Sequence, residues 1–478
     1  MSIMTQLEFA LDFTHAEVEI AHYILNHGED VLNLSIKELA KRTYTSPATI
    51  VRLCRKLGLE GYNDFKIKYS AELQYTLTKT KRIDVNFPFG PEDNYPQIAY
   101  KLGTMSREVI EDTIKLIDFD ELIANGITPM ITLVHFDMPY HLVKEYNGFA
   151  SRKVVDLFDR YARVCMERFG DRVKHWMSFN EQNLHSCNLI YSNAEIIPEG
   201  KTKAEHLYQV AHNVMIAHCK AVKALRELVP DAKFGGMTTI TNFYPATDTP
   251  KNNLFCQKAY DLVNDWVCYV QANGKYPRYY TSYLKNRGWF PVFEEGDEDL
   301  LKYTCDYLCF SYYRSNTLTE GEFDMTTPFN DIVEKHVVKN PHLEATEWGW
   351  EKDAIGFRWV MNTLSERYDL PCFVLENGMG ARESLNENDT VDDDYRIEYH
   401  RNHIQEMKNA ILEDGVDCLG YITWGPIDIP SSSCQIAKRY GFVYVNRTDE
   451  ELLDLRRVPK KSFYWIAKAF KSNGEDLD

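Results

Sequence analysis

Apolar and polar residues change their spacing at about residue 122. Beyond it, apolar runs of strand length alternate with long segments that have helical periodicity. The six runs are TPMITLVHF, VKHWMSFN, KFGGMTTIT, DYLCFSYY, PCFVLEN and DCLGYITW, and the helical segments include RKVVDLFDRYARVCMERF and AIGFRWVMNTLSERY. Continuous apolar strands that alternate with helices predict an α/β domain with a parallel sheet covered by helices, as in a (β/α) barrel.

The N-terminal part has helical periodicity only. Ile36, Leu39 and Ala40 are spaced for one short helix, with Ser35 as its N-cap and Glu38 completing a capping box. After TYTS, Ser46 and Pro47 are suited to begin a second helix, which Gly58 ends. The inward positions of that helix are Ile50, Leu53, Cys54 and Leu57. Two short helices around a tight turn predict an all-α helix-turn-helix domain, with a small helical bundle as the alternative.

Charge separates these two parts further. The chain of 478 residues has a net charge of −17, yet residues 35–82 carry eleven Lys or Arg against four Asp or Glu. A basic segment in an acidic protein suggests a polyanionic partner, here operator DNA. Ser46, Thr49 and Arg52 are the candidates for base edges, and basic residues including Arg55 and Lys56 would neutralise phosphates. A solvated basic face explains the same residues without DNA.

The cysteines, the hydropathy and the missing motifs narrow the class of protein. Eleven cysteines lie scattered without a zinc or redox spacing, and no apolar run has the length of about 18 residues that a membrane span needs. The first residues lack the features of a signal peptide. We therefore expect a cytoplasmic protein that does not bind a membrane. Without a HExxH, paired CxxC or P-loop motif, no metal or cofactor is expected.

Chemically active side chains stand at the ends of the predicted strands. They are His135, Asn180, Glu181, Tyr312, Glu376 and Trp424. In a (β/α) barrel the active site forms at the C-terminal ends of the strands. One acid to protonate a leaving oxygen and one carboxylate to meet the positive charge at a sugar carbon would cleave a glycosidic bond. Either glutamate alone could cap a helix, and a proton-abstracting barrel enzyme fits the pair about equally well.

Residues 1–115 resemble the N-terminal helix-turn-helix domain and linker of the RpiR/MurR regulators, which respond to sugar phosphates. The resemblance rests on LSIKELAKRTYTSPATIVRLCRKLGLEGYNDFK and on the lead-in VNFPFGPEDNYPQIAYKLGTMSREVIEDTIKLI. It implies a DNA-binding domain at 1–77, followed by a linker and lead-in helix at 78–121. The sugar-isomerase-type sensor of that family does not follow.

Residues 122–478 resemble glycoside hydrolase family 1, in its 6-phospho-β-glucosidase branch. The matching motifs, in family order, are NGITPMITLVHFDMPYHL, VKHWMSFNEQN, FSYYRS, EWGWEKD, FVLENGMGA, YITWGPID and KRYGFVYVN. The resemblance implies a retaining mechanism with Glu376 as nucleophile and Glu181 as acid/base. His135 and Asn180 would hold sugar hydroxyls, Tyr312 would orient Glu376, and Trp424 would underlie the ring.

The resemblance also implies a phosphate preference. Members that act on plain sugars carry a Glu–Trp pair where this chain has Ser431 and Ser432. Loss of that carboxylate removes a like-charge clash with a phosphate dianion. Ser431, Lys438 and Tyr440 resemble the phosphate-binding residues of the branch, and serine at 432 favours glucosides over galactosides.

Two units of the family's barrel have no counterpart in this sequence. Six strands are predicted where a closed barrel has eight, and regulator-like sequence stands in place of the first two βα units. The missing units would supply a sugar-binding glutamine and an arginine that contacts the nucleophile. The open strands would favour aggregation or completion by another chain, such as a homo-oligomer.

Three hypotheses therefore remain open at this point. The chain is a 6-phospho-β-glucosidase with a DNA-binding head, and the shortened barrel leaves its turnover undecided. Alternatively it is a regulator whose degenerate barrel senses a sugar phosphate, or a gene fusion without function.

Overall fold

The computed structural model describes residues 3, 6 and 7, 13–78 and 118–478. The chain divides into two compact units at the boundary between Ile117 and Asp118. Most of the predicted linker, 78–121, lies outside the described residues, as do residues 79–82 of the basic segment.

The first unit is helical, as the sequence predicts. Its helices are α1 (His15–His27), α2 (Ile36–Arg42), α3 (Pro47–Lys56) and α4 (Tyr62–Thr78). The side chain of Ser35 caps α2 in a capping box with Glu38, and that of Ser46 caps α3, where Pro47 is the first residue. The predicted inward residues of α3 are all buried in one core with residues of α1 and α4, such as Ile24 and Phe65.

The second unit contains a six-stranded parallel sheet in its described residues. Its strands pair in the order β1-β2-β3-β5-β8-β9. Smaller sheets are formed by β4, β6 and β7 and by β10 and β11. The strand bounds are β1 Met130–Val134, β2 His175–Phe179, β3 Lys233–Thr239, β4 Asn242–Pro245, β5 Tyr307–Tyr312, β6 Ser315–Leu318, β7 Val337–Val338, β8 Cys372–Asn377, β9 Cys418–Tyr421, β10 Val443–Val445 and β11 Arg457–Pro459.

Helices separate the strands of the large sheet, so the α/β class is confirmed. All six apolar runs form its strands, and the segments 152–169 and 354–368 are helical over their full predicted lengths. The helices are α5 Phe119–Ala124, α6 Tyr140–Tyr146, α7 Arg152–Phe169, α8 Leu189–Ser192, α9 Lys203–Leu228, α10 Pro250–Tyr260, α11 Trp266–Asn273, α12 Arg278–Arg287, α13 Asp297–Leu301, α14 Phe329–Lys335, α15 Ala354–Tyr368, α16 Asp394–Leu412 and α17 Lys461–Lys471.

The large sheet buries apolar side chains among its helices. One core joins α7 and α9 to the strands around Trp176, and a second joins α15 to β5 and β8 around Phe310. A third, smaller cluster lies among the strands themselves and contains Met177, Met237, Tyr307 and Cys309. A parallel sheet that is apolar on both faces holds its strand ends in fixed positions.

The outer strands of the pairing order are β1 and β9. No strand pairs with their outer edges in the part of the chain that the structure describes. Leu419 of β9 is 47% exposed and Ile422, just beyond it, is 45% exposed. Exposed apolar side chains on an edge strand are unusual, because such a strand tends to pair with a strand of another chain.

No helix among the described residues is both long enough and apolar enough to cross a membrane.

Candidate active site

Glu181 and Glu376 follow different strands of the large sheet. Glu181 lies two residues beyond β2, and Glu376 is the penultimate residue of β8. Burial raises the pKa of Glu181, and the hydroxyls of Ser311 and Thr239 partly offset this rise. Burial and then the negative charge of Glu181 raise the pKa of Glu376 to about 7. The two carboxyl groups therefore share one buried site, where mutual repulsion disfavours a double negative charge.

The backbone at Glu181 is strained. Its φ of 39° and ψ of 55° lie in the left-handed region, which a residue with a Cβ seldom adopts. The residue stands between β2 and the short 3₁₀ helix Gln182–Ser186. Strain of this kind costs on the order of 1–3 kcal/mol and is found most often at functional sites.

Tyr313, not Tyr312, contacts Glu376. The Tyr313 hydroxyl donates a hydrogen bond of 2.7 Å to Glu376 Oε2. The Tyr312 hydroxyl is fully buried and instead bonds to Ser315 Oγ at 2.8 Å and to the backbone oxygen of Asp353 at 2.9 Å. The prediction that Tyr312 orients Glu376 is therefore wrong, because neighbouring side chains of an extended chain point in opposite directions.

Asn377 holds the end of β8 in place beside Glu376. Its Nδ2 donates to the backbone oxygen of Tyr312 at 2.6 Å, and its Oδ1 accepts a 2.6 Å bond from the Tyr421 hydroxyl. Its backbone oxygen accepts a hydrogen bond from the backbone N–H of Trp424 at 2.9 Å. Side-chain and backbone bonds of one asparagine thus join the ends of β5, β8 and β9, which positions Glu376.

His135, Asn180 and Trp424 form a connected group next to Glu181. The Asn180 Nδ2 and His135 Nε2 atoms are 3.3 Å apart, and the His135 ring stacks on Trp424 with 5.7 Å between centroids. Asn180 is buried, and burial lowers the pKa of His135. The structure therefore brings these three predicted residues together at the ends of β1, β2 and β9.

No basic residue forms an ion pair with Glu376 among the residues of the described ranges. A cation near a buried carboxylate would lower its pKa, whereas Glu376 has its pKa raised to about 7. The Tyr313 hydroxyl is a neutral donor and compensates only part of the cost of burial.

Lys438 and Tyr440 lie close to the glutamate pair. The Lys438 Nζ is 5.6 Å from the centre of the Tyr440 ring, and that ring lies 6.1 Å from the ring of Tyr313. Burial, and then the charge of Arg314, lower the pKa of Lys438 to about 8. The side chain of Lys438 passes over Gly380, where a Cβ would stand 2.7 Å from its Cγ. A larger residue at 380 would therefore displace Lys438.

Ser431 lies in the loop between Asp428 and Lys438. Its Oγ is 2.9 Å from Ser433 Oγ and accepts from the Gln435 backbone N–H at 3.4 Å. Arg439 and Lys460 both bind the buried carboxylate of Asp428, at 2.9 Å each. These ion pairs fasten both ends of the loop that carries Ser431 and Lys438.

The helix-turn-helix residues are only partly arranged as predicted. Arg52 and Arg55 are exposed on α3. Thr49 is buried instead, and its hydroxyl lies 3.0 Å from Ser46 Oγ, so its side chain is not exposed for the predicted contact with a base edge. Ser46 is exposed but accepts from the Thr49 N–H as the cap of α3.

Lys56 and Tyr44 are two further residues of the helix-turn-helix unit. Lys56 Nζ forms a 2.8 Å ion pair with the nearly buried Glu17. Its charge is therefore paired within the fold, whereas the sequence predicts that it contacts a DNA phosphate. Tyr44, which the sequence reasoning missed, is 98% exposed in the turn and has a φ of 52°. An aromatic side chain exposed in the turn between two helices could have been recognised from its place in TYTS.

Within the described residues, no group of three or more His, Cys, Asp or Glu side chains is arranged to hold a metal ion. The chemistry available to the site is that of two carboxyl groups, the hydroxyls and amides around them, and two nearby cations.

Two buried glutamates at the strand ends of an α/β sheet are the residues that cleavage of a glycosidic bond needs, and comparisons with known proteins identify the family. The model of glycosyl hydrolase family 1 matches residues 110–475. The chain therefore belongs to this family. The model of the helix-turn-helix domain of the rpiR family matches residues 1–76.

Several relatives are similar over most of their length. The aryl-phospho-beta-D-glucosidase BglH of Bacillus subtilis is 40% identical over 430 residues, which cover 88% of this chain and 87% of the relative. A 6-phospho-beta-glucosidase of Dickeya chrysanthemi is 38% identical, covering 75% of this chain and 76% of the relative. The family 1 β-glucosidase of Thermotoga maritima superposes with a TM-score of 0.65 at 28% identity, covering 75% of this chain and 77% of that structure.

Proposed function

We propose that residues 122–478 form a retaining glycosidase that acts on 6-phospho-β-glucosides. The observation that carries this proposal is the pair of buried carboxyls, Glu181 and Glu376, in which the charge of one raises the pKa of the other. Family membership and the phospho-β-glucosidase relatives support the reaction and the substrate class.

In the first step Glu181 protonates the glycosidic oxygen while Glu376 attacks the anomeric carbon, so the glycosidic C–O bond breaks, the aglycone leaves and a glycosyl-enzyme forms. In the second step a water molecule hydrolyses this intermediate while Glu181 takes up the proton. The hydrogen bond from Tyr313 stabilises the anionic form of Glu376 that attacks. Retention requires a separation of roughly 5–5.5 Å between the two carboxyl groups.

We assign sugar binding to the group formed by His135, Asn180 and Trp424. The Trp424 ring offers an apolar platform for a sugar face, while the amide of Asn180 and the imidazole of His135 can bond to hydroxyls. Their mutual contacts orient them before a ligand arrives.

For the phosphate we assign Ser431, Lys438 and Tyr440. Lys438 supplies a positive charge without a carboxylate partner within the described ranges, and Tyr440 and Ser431 supply hydroxyl donors. The names of the relatives from Bacillus subtilis and Dickeya chrysanthemi, which act on phosphorylated glucosides, support this assignment.

We propose that the large sheet is six-eighths of a (β/α) barrel. The domain boundaries would then be 1–77, 78–121 and 122–478. The unpaired outer edges of β1 and β9 and the match over 77% of the Thermotoga maritima structure support this. A second copy of the chain that covers these edges would form a homo-oligomer.

Hydrolysis of an aryl 6-phospho-β-glucoside by the purified full chain tests the glycosidase. We expect release of the aryl group by the wild-type protein and loss of at least about 1,000-fold in the Glu376→Gln variant, since no covalent intermediate can form. Equal rates in the two proteins would contradict the catalytic assignment. Release of the α-anomer as first product would contradict retention.

A second candidate function is regulation of transcription in response to a sugar phosphate. The rpiR-type helix-turn-helix at residues 1–76 favours it, with the proposed DNA contacts in 35–82. The test measures binding of a labelled DNA duplex at several salt concentrations, with and without glucose 6-phosphate. A change in affinity on adding the sugar phosphate, together with absence of hydrolysis, would favour a sensor over an enzyme.

We further propose that the protein acts in the cytoplasm. Its eleven cysteines are free thiols, and both DNA and phosphorylated sugars occur there. Recovery of the protein with the membrane fraction after cell lysis would contradict this location.

A further inference from the structure

Two cations flank the ring of Trp350. Lys438 Nζ lies 3.6 Å from the ring centroid, and Arg314 Cζ lies 5.0 Å from it. Contacts of this kind attract a cation to the face of an aromatic ring. An arginine and a lysine therefore lie next to the same ring, although their positive charges repel each other.

Neither cation has a carboxylate partner within ion-pair distance in the described part of the chain. Lys438 is only 6% exposed, and Arg314 is half-buried. Glu334 and Glu351 are the acids whose charges reach Arg314, but neither is within ion-pair distance of it. Glu351 Oε1 accepts from the N–H of Asn340 at 2.6 Å, and Glu351 Oε2 has no hydrogen-bond partner among the described residues. Buried charges are normally paired, because removal from water is costly.

The two cations destabilise one another's charged form. Burial and then the charge of Arg314 lower the pKa of Lys438 to about 8, and burial also lowers the pKa of Arg314. Burial raises the pKa of the Tyr440 phenol, and the positive charge of Arg314 offsets part of that rise. An anion bound beside both cations would offset their mutual repulsion.

Arg314 is also connected to the glutamate pair. It follows Tyr313, whose hydroxyl bonds to Glu376 and whose ring lies 5.6 Å from Trp350. A sugar held at Glu376 would therefore have a substituent within reach of Trp350 and the two cations around it. No other arginine or lysine of the described residues approaches the Trp350 ring.

We propose that Arg314 is a second phosphate-binding cation, which lies next to the same Trp350 ring as Lys438 and binds the 6-phosphate of the substrate. The inference rests on the proposed function, since it concerns the same site. Arginine offers two parallel N–H donors to a phosphate, whereas lysine supplies a compact charge, so the two side chains are complementary. Arg314 therefore contributes to the choice of phosphorylated over plain glucosides.

Calorimetry with a non-hydrolysable ligand tests this without requiring turnover. The full chain is titrated with an aryl β-thioglucoside that carries a 6-phosphate and with the same compound without it. For Arg314→Met we expect about 10- to 100-fold weaker binding of the phosphorylated ligand and unchanged binding of the plain one. Arg314→Lys should recover part of the affinity, because it keeps the charge and loses the paired donors.

Arg382 provides a matched control. Its Cζ is also 5.0 Å from a tryptophan ring, that of Trp348, but its side chain is 64% exposed and pairs with Glu347 at 3.4 Å. Arg382→Met should leave the affinity for both ligands within about twofold of wild type.

A pH profile separates a contact from a merely structural role. Binding of the phosphorylated ligand should weaken as the pH rises through the pKa of Lys438, about 8. Without the charge of Arg314 that pKa rises, so in Arg314→Met the weakening should begin at higher pH. A structural role would instead weaken both ligands and leave the profile in place.

Three outcomes decide between the proposals. If wild type binds both ligands equally, the phosphate preference is wrong and the role of Arg314 falls with it. If Lys438→Met loses preference but Arg314→Met keeps it, only the role of Arg314 is overturned. Loss of preference in both variants, with the plain ligand unaffected, supports it.

Discussion

At the residue scale, two neighbouring tyrosines at the end of β5 have separate tasks. The buried hydroxyl of Tyr312 joins Ser315 to the backbone of Asp353, while the hydroxyl of Tyr313 bonds to Glu376. The pairing of β5 with β8 shifts register between Phe310 and Ser311. A bulge changes which side chains face a site, and nothing in the letters FSYYRS reveals it.

Removal of the Tyr313 hydroxyl should slow hydrolysis and raise the pKa of Glu376. In Tyr313→Phe the anionic form of Glu376 loses a donor, so we expect kcat to fall about 10- to 100-fold and the acidic limb of the pH–rate profile to move upward. Steady-state kinetics on an aryl 6-phospho-β-glucoside between pH 5 and 9 measures both.

Tyr312→Phe is the matched control. It should lower the free energy of unfolding by about 1–3 kcal/mol, because Asp353 and Ser315 lose a buried partner, yet leave the acidic limb where it was. A shift of the limb in this variant, with none in Tyr313→Phe, would return the orienting role to Tyr312.

The ionised carboxylate of Glu376 should lower the free energy of unfolding at neutral and alkaline pH. Its pKa is about 7 in the fold against an ordinary value of 4.5, so the folded protein holds this proton more tightly than the unfolded chain. The free energy of unfolding therefore falls as pH rises from about 4.5 to 7 and stays lower above. At pH 8, Glu376→Gln should be more stable than wild type by about 1–3 kcal/mol.

Urea denaturation at pH 5 and pH 8 measures this difference. The two proteins should have similar stability at pH 5, where Glu376 is mostly protonated in the fold. Equal stability at both values would mean that the carboxylate is compensated by a charge, contrary to the surroundings of Glu376 described above.

At the element scale, most of the fold could be predicted from periodicity. The six apolar runs became strands and 152–169 became a helix of that length, because burial on one or both faces fixes these patterns. The strand-end residues Glu181 and Glu376 were found because parallel strands place their ends together. The positive φ of Glu181 and the partners of Trp350 depend on contacts between distant segments, which periodicity does not encode.

The same limit applies to α3. The sequence predicted its N-cap and its inward residues. Burial of Thr49 and the pairing of Lys56 with Glu17, in contrast, depend on how α1 packs against it. Of the predicted DNA contacts, Arg52 and Arg55 are exposed and directly available to phosphates.

Arg52→Ala and Arg55→Ala should each weaken binding of duplex DNA and reduce the slope of log affinity against log salt by about 1, as expected for one lost phosphate contact. Fluorescence anisotropy of a labelled duplex at several salt concentrations measures the slope. Lys56→Ala is the control: it should keep the slope and lower stability, since Glu17 loses its partner. A slope that is unchanged in both arginine variants would argue against a DNA-binding role of α3.

At the scale of the whole molecule, the large sheet combines the glutamate pair and its neighbours with outer strands that are unpaired among the described residues. Glu376 has its tyrosine donor and its glutamate partner, but no cation within the described residues, and the outer strands β1 and β9 have no strand beside them there. Both features have the same origin if two βα units are absent. If they are, a second copy of the chain would cover the unpaired edges.

The exposed edge of β9 should drive self-association. Leu419 on β9 is 47% exposed, and apolar edge strands pair with further strands unless a charge prevents it. Sedimentation velocity should show a fraction of dimers or larger species that grows with protein concentration, and Leu419→Lys should reduce it. Leu254→Lys is the control, because Leu254 is 50% exposed on α10, away from the large sheet's strands, and should leave association unchanged. A wild-type protein that remains monomeric at all concentrations would show that this edge is covered within the chain, and equal effects of both variants would show that association is not specific to β9.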